Sequence, residues 1–263
     1  MMRNASFGRR FWPALAILAG MAGWCDAASA QTTKNVILVH GAWADGSSWS
    51  KVIPLLDAKG FNVVAVQLPL TSLADDAATV KRAIALENGP VLLVGHSYGG
   101  AVITEAGDDP KVKGLVYVAA FAPDAGQSAG SLSGSVPVPL NDQVRPDANG
   151  FLKLTKAGVY DDFAQDLSTQ EKEVLFAAEA PTSVNALGGK IGDPAWRHKP
   201  SWYIVAANDR AISPKLERTM AQTIHATTSV LLHTSHVAML AQPQEVAGVI
   251  EQAEAAVERA ASK

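Results

Sequence analysis

Residues 91–100 read VLLVGHSYGG, and the pattern YGGAVITEA follows from Tyr98. An apolar run with no polar alternation suits a strand buried on both faces. YGGAVITEA suits a helix, so almost no chain is left for the turn between them. A G-x-S-x-G sequence in that position puts Ser97 in a strained backbone conformation and lifts its hydroxyl to the sheet edge. Gly95 and Gly99 fit because a side chain at either would strike the neighbouring strand or helix. The same pattern recurs at Gly126-Gln127-Ser128-Ala129-Gly130. That copy reads as loop on both sides, so Ser128 is expected to be a linker serine.

The chain on either side repeats the alternation. VILV (36–39), NVVAVQ (62–67), LVYVAAF (115–121), WYIVAA (202–207) and SVLLH (229–233) are further continuous apolar runs. Helical patterns cover 49–59, 73–87, 98–108, 215–224 and 243–261, with Ser213-Pro214 placed as N-cap and first residue of one of them. Strand–helix alternation predicts an α/β fold: a mainly parallel sheet of about six strands flanked by helices. The rhythm breaks from about 124 to 200. That stretch opens with a loop rich in Gly, Ser and Pro and shows no clear strand. Ser168 and Glu171 fit a capping box, and Pro181 ends the helix they start. It reads as a helical cap insertion on the carboxyl edge of the sheet, where ligand sites lie.

The 263 residues are 48% hydrophobic, enough for a sizeable core, and carry a net charge of −3. Scattered Lys and Arg exclude a basic nucleic-acid footprint. The N-terminus differs from the rest. Arg3, Arg9 and Arg10 precede the short apolar stretch FWPALAILAGMAGW, and Ala28-Ser29-Ala30 closes it. This is the order of a secretory signal, with cleavage expected after Ala30. Residues 1–30 are then signal peptide and 31–263 one domain, exported to the periplasm or secreted. No membrane association is expected after cleavage. Cys25, the only cysteine, falls inside the signal, which excludes thiol catalysis and thiolate metal sites in the mature chain.

A serine hydroxyl attacks only when a base takes its proton, and the base needs an acid behind it. In this fold class the chain order is Ser, acid, His. His40 precedes the serine, His96 flanks it, and His198 and His225 are poorly placed. His233 ends the last strand, while His236 sits in the loop beyond it and is favoured as the base. The acid is Asp209, after the strand that starts near Trp202, with Asp124 after the neighbouring strand as the other candidate. Two backbone N–H groups must face the oxyanion. Tyr98 supplies one, as the residue after the nucleophile, and Ala42, in the loop VHGAW, supplies the other. Trp43 and Phe121 are candidates for the substrate pocket, Trp43 being equally readable as a core aromatic.

VHGAW, VGHSYGG, IVAANDRAI and SHVAMLAQPQEV, in that order, resemble the α/β-hydrolase superfamily. The resemblance is strongest to its compact branch of plant methyl-ester esterases and hydroxynitrile lyases with their bacterial relatives, and it spans about residues 34–255. It implies the α/β-hydrolase fold, Ser97, Asp209 and His236 as a triad, and Ala42 and Tyr98 as oxyanion donors. The lyases of this branch place a threonine where Gly41 stands and a lysine where Val237 stands, so the resemblance favours hydrolysis. Unlike full-length hydrolases, the chain is expected to begin its sheet at the first parallel strand.

The expected function is a serine esterase acting on a small-molecule carboxylic ester, with no metal or organic cofactor. A lyase or perhydrolase on the same triad, a non-catalytic small-ligand-binding protein of this fold, and a lipase are the alternatives. The sequence names neither the ester nor the oligomeric state.

Overall fold

The computed structural model describes Met1 and residues 34–262, apart from the side chains of residues 228–231. The expected signal peptide lies outside the described residues. Six strands form one all-parallel sheet: β1 (Lys34–Val39), β2 (Phe61–Ala65), β3 (Val91–His96), β4 (Val112–Val118), β8 (Ser201–Ala206) and β9 (Thr228–Leu232), in the order β2-β1-β3-β4-β8-β9. Their register aligns Val39 with Gly95, His96 with Val118, Val118 with Ile204, and Ala206 with Leu232. The carboxyl ends therefore share one edge, and the loops leaving them converge there.

Both faces of the sheet are covered, which is why its strands read as unbroken apolar runs. Ile37, Val39, Leu93, Leu115, Tyr117 and Tyr203 point to one face. They pack on α2 (Leu73–Leu86), α3 (Tyr98–Ala106) and α7 (Pro214–Thr223). Their neighbours Val36, Leu38, Leu92, Val94, Val116 and Ile204 point to the other face. They meet α1 (Ile53–Asp57), α8 (Ala238–Ala241) and α9 (Pro243–Ala261). The helix expected over 49–59 is broken instead into a 3₁₀ turn at Gly46–Trp49 and the short α1. Pro54 explains this: a proline is tolerated only in the first turn, so the helix has to start beside it. Ser213 occupies the N-cap of α7, but its hydroxyl makes no capping bond; Pro214 alone marks the start.

Residues 124–200 correct the expectation of a segment without strands. They hold a small antiparallel sheet, β5 (Val144–Pro146), β6 (Phe151–Leu154) and β7 (Thr182–Ser183), in that order. The hairpin turns on Asp147, whose Oδ1 accepts the N–H groups of Asn149 and Phe151, each at 2.8 Å. Gly150 supplies the left-handed residue, at φ +80°. Strands of three, four and two residues are too short for period-two alternation to register. Around this sheet lie α4 (Ala129–Ser133), α5 (Thr169–Ala177), α6 (Val184–Gly188) and a π-helical turn at Gly158–Phe163. The Ser168–Glu171 capping box is present at the start of α5, which ends at Ala177, four residues before Pro181.

Candidate active site

The strand–turn–helix at Ser97 has the conformation that its glycines imply. Ser97 sits at φ +52°, ψ −123°, between the end of β3 and the first residue of α3. Such a conformation costs about 1–3 kcal/mol for a non-glycine residue. Three hydrogen bonds hold it: Ser97 N–H donates to Val118 O, and Ser97 O accepts from Gly100 and Phe121. A Cβ on Gly95 would lie 2.5 Å from Gly99 O, and one on Gly99 would lie 2.5 Å from Val39 O. The glycines let β1, β3 and α3 meet at one point. A Cβ on Gly41 would lie 2.7 Å from Ser97 Cβ, so the loop after β1 passes against the serine and brings Ala42 beside it.

Ser128 is no part of this site. It is the N-cap of α4, its hydroxyl accepting from Ser131 N at 3.0 Å in a reciprocal capping box. The expectation of loop on both sides is corrected on its C-terminal side: a short helix follows, although no strand precedes it.

His236, 1% exposed, joins Asp209, 5% exposed, through a hydrogen bond of 2.6 Å between Nδ1 and Oδ2. The other oxygen of Asp209 accepts the N–H groups of Ala211 at 2.6 Å and Ile212 at 2.9 Å. Three donors on one buried carboxylate hold it aimed at His236. With Nδ1 committed to Asp209, Nε2 is the ring nitrogen left for the cavity that His236 lines. The ring lies between His96, 4.7 Å away, and Phe163, 5.0 Å away, centroid to centroid. The other candidate acid, Asp124, faces solvent and pairs with Arg197 at 2.5 Å. His233 is exposed.

Ser97, Tyr98, Ala42, Trp43, Phe121 and His236 all line one cavity of about 320 Å³. Leu140, Asn141, Val144, Leu152 and Leu187 from the insertion close its other side. Among the described residues the lining carries no Lys, Arg, Asp or Glu; its polar side chains besides Ser97, Tyr98, Trp43 and His236 are Ser133 and Asn141. Trp43 proves to be both pocket wall and structural tie. At φ +57°, its backbone N–H donates to Thr182 Oγ1 at 3.0 Å and its indole Nε1 to Leu152 O at 3.0 Å. The residue next to Ala42 is thereby fastened to β6 and β7.

The alpha/beta hydrolase family model matches residues 36–249. The chain belongs to the alpha/beta hydrolase family. Among individual relatives of this hydrolase, a carbendazim hydrolyzing esterase of Nocardioides sp. (strain SG-4G) is 36% identical over 108 residues. That match covers 36% of this chain and 45% of the relative, less than half of its length. Methylesterase 8 of Arabidopsis thaliana is 24% identical over 244 residues, covering 84% of this chain and 89% of the relative. The crystal structure of polyneuridine aldehyde esterase superposes with a TM-score of 0.75 at 20% identity, covering 84% of this chain and 99% of that one; this likeness is one of fold.

Several groups at the hydrolase site left no sequence signal. His40 and His96, set aside as bases, are anchors. His40 Nε2 accepts from Leu68 N at 2.9 Å, so its Nδ1–H donates to Gly41 O at 2.8 Å. His96 lies 3.0 Å from His236 O through Nε2. Burial pushes both imidazoles below their usual pKa, so each is neutral, and His96 donates this bond. The stretch DDFAQD of the insertion grips the loops that carry Asp209 and His236. Asp162 pairs with Arg210 at 2.9 Å, Gln165 donates to Asn208 O at 2.7 Å, and Asp166 accepts from Ser235 N at 2.7 Å. In sequence these acids read as solvated surface. Only the folded chain shows that they reach the residues flanking Asp209 and His236.

Proposed function

We propose that this chain is an exported serine esterase that hydrolyses small, uncharged carboxylic esters through an acyl-enzyme. The observation that carries the reading is the Asp209–His236 hydrogen bond opening onto the cavity that Ser97 lines. In the proposed reaction Ser97 Oγ attacks the ester carbonyl and His236 Nε2 takes its proton. Asp209 holds the imidazolium, and the N–H groups of Ala42 and Tyr98 receive the oxyanion. His236 then returns the proton to the departing alcohol. Water, deprotonated in turn by His236, releases the acid and frees Ser97. No cofactor enters any step.

A lining without fixed charge supports an uncharged substrate, since a buried unpaired charge would be costly to desolvate. The volume suits a compact ester. The esterase names of the relatives support ester hydrolysis. Gly41 and Val237, where the resembling lyases have threonine and lysine, support hydrolysis over cyanohydrin cleavage.

The test is a fluorophosphonate probe, with the modified residue mapped by mass spectrometry. Labelling at Ser97, lost in Ser97→Ala with the fold retained, is expected. Absence of labelling in the folded protein would favour a binding protein, and labelling at Ser128 would overturn the choice of nucleophile. Products then separate esterase from lyase or perhydrolase: acid plus alcohol rather than cyanide or peracid. The export proposal rests on the order of charge, apolar stretch and Ala28-Ser29-Ala30. It predicts a mature N-terminus at Gln31, readable by N-terminal sequencing of the exported protein; an intact N-terminus on that protein would refute cleavage at Ala30.

A further inference from the structure

Glu217 lies on α7 with none of its surface exposed. Its Oε2 accepts the N–H of Ala206, the last residue of β8, at 3.0 Å. Its Oε1 finds no N–H or O–H donor among the described residues. What lies within hydrogen-bonding reach is the side chain of Asp209. Two buried carboxylates in contact cannot both be ionised, so one of them holds a proton and donates it.

The donor count decides which. Asp209 already accepts from Ala211 N, Ile212 N and His236 Nδ1, so both of its oxygens serve as acceptors. Glu217 accepts one N–H. The remaining charged or titratable neighbours do not alter the balance. Arg218 is on the exposed face of α7, and Tyr203 on β8 donates its hydroxyl to Ala120 O.

We propose that Glu217 is a positioning residue whose protonated carboxyl donates from Oε1 to Asp209 and fixes the carboxylate that orients His236. It acts through Asp209 and touches no substrate. Burial, with the Asp209 charge beside it, holds the Glu217 carboxyl well above the usual carboxylate range. Used this way, a glutamic acid supplies a donor without a second negative charge under the imidazolium. The idea rests on the serine-esterase reading only in taking Asp209–His236 as the working pair.

Two variants and one spectrum test it. Glu217→Gln keeps a donor toward Asp209 and an acceptor for Ala206 N–H, and exchanges one neutral group for another. With p-nitrophenyl acetate as substrate, its kcat is expected within about threefold of wild type, and the acid limb of kcat/KM is expected not to move. Were Glu217 ionised, removing its charge would make the His236 imidazolium easier to deprotonate. The acid limb would then shift to lower pH, and that result overturns the proposal. Glu217→Leu removes the donor, and kcat is expected to fall about tenfold with KM little changed; wild-type kcat in this variant also overturns it. Should the leucine variant fail to fold, the glutamine profile and the spectrum decide. The spectrum needs no turnover: the infrared difference between wild type and Glu217→Gln, with ¹³C-labelled glutamate, should show the C=O stretch of a protonated carboxyl at pH 7. Its absence refutes the protonated Glu217 whatever the substrate proves to be, and its presence in an inactive protein would leave the esterase reading alone to fail.

Discussion

The carboxylate of Asp166 accepts the backbone N–H of Ser235 at 2.7 Å, so a side chain of the insertion holds the residue that precedes His236. The insertion is thus a brace for the loops that carry Asp209 and His236 as well as a wall of the pocket. Without that acceptor, a buried N–H loses its partner and the His236 loop is free to drift, and small displacements of a base are costly to rate. Asp166→Ala is expected to lower kcat about tenfold with a smaller change in KM. Steady-state kinetics on a chromogenic ester check this, and an unchanged kcat would show that His96, through His236 O, suffices to hold the loop.

Thr182 is the equivalent tie for the loop that carries Ala42. Its hydroxyl is the acceptor for Trp43 N–H, and Thr182 is fully buried. Thr182→Val keeps nearly the same shape and removes the acceptor. The orphaned N–H should cost about 1–3 kcal/mol of stability. Because Ala42 adjoins Trp43, kcat/KM should fall as well. Denaturant unfolding and kinetics on the same preparation read both effects. A loss of stability without a loss of rate would mean that Ala42 keeps its place independently of Trp43.

Lys51 and Glu171 form an ion pair of 2.5 Å that joins the segment before α1 to the start of α5. Lys51, with two bonds from Ser168, lowers the Glu171 carboxyl from 4.5 to about 2. A folded-state value below the unfolded one gives stability that is complete above about pH 4.5 and drains away as the pH falls toward 2. Both side chains are a third or more exposed, so solvent screening limits the gain to about 0.5 kcal/mol. Glu171→Gln keeps the capping geometry and removes the charge. It should cost about that much near neutral pH and almost nothing near pH 2. Chemical unfolding across this range provides the check, and a penalty independent of pH would assign the effect to packing.

The parallel sheet was legible because burial on both faces writes itself as unbroken apolar runs, and Pro243 marked the start of α9 without help from tertiary structure. The convergence of Ser97, Asp209 and His236 on one edge follows from parallel strands, whose carboxyl ends must lie together. Tertiary pairing hid the rest. β5, β6 and β7 are shorter than the period needed to recognise them. Asp162 and Asp166 look like ordinary surface acids until the chain folds them against Arg210 and Ser235. Glu217, in the polar-looking stretch PKLERTMAQT, shows its burial only once α7 is laid on β8. His40 and His96 failed as candidate bases for a sound reason, yet chain order says nothing about whether a histidine serves as an anchor.

The uncharged lining of the cavity has a consequence for how the protein meets its ligand. With no Lys, Arg, Asp or Glu among the described residues that line it, the cavity wall adds little to electrostatic steering, so encounter leans on random diffusion and on the release of water from apolar walls. Added salt has little there to screen. Capture should therefore proceed at nearly the same speed in dilute and in saline surroundings.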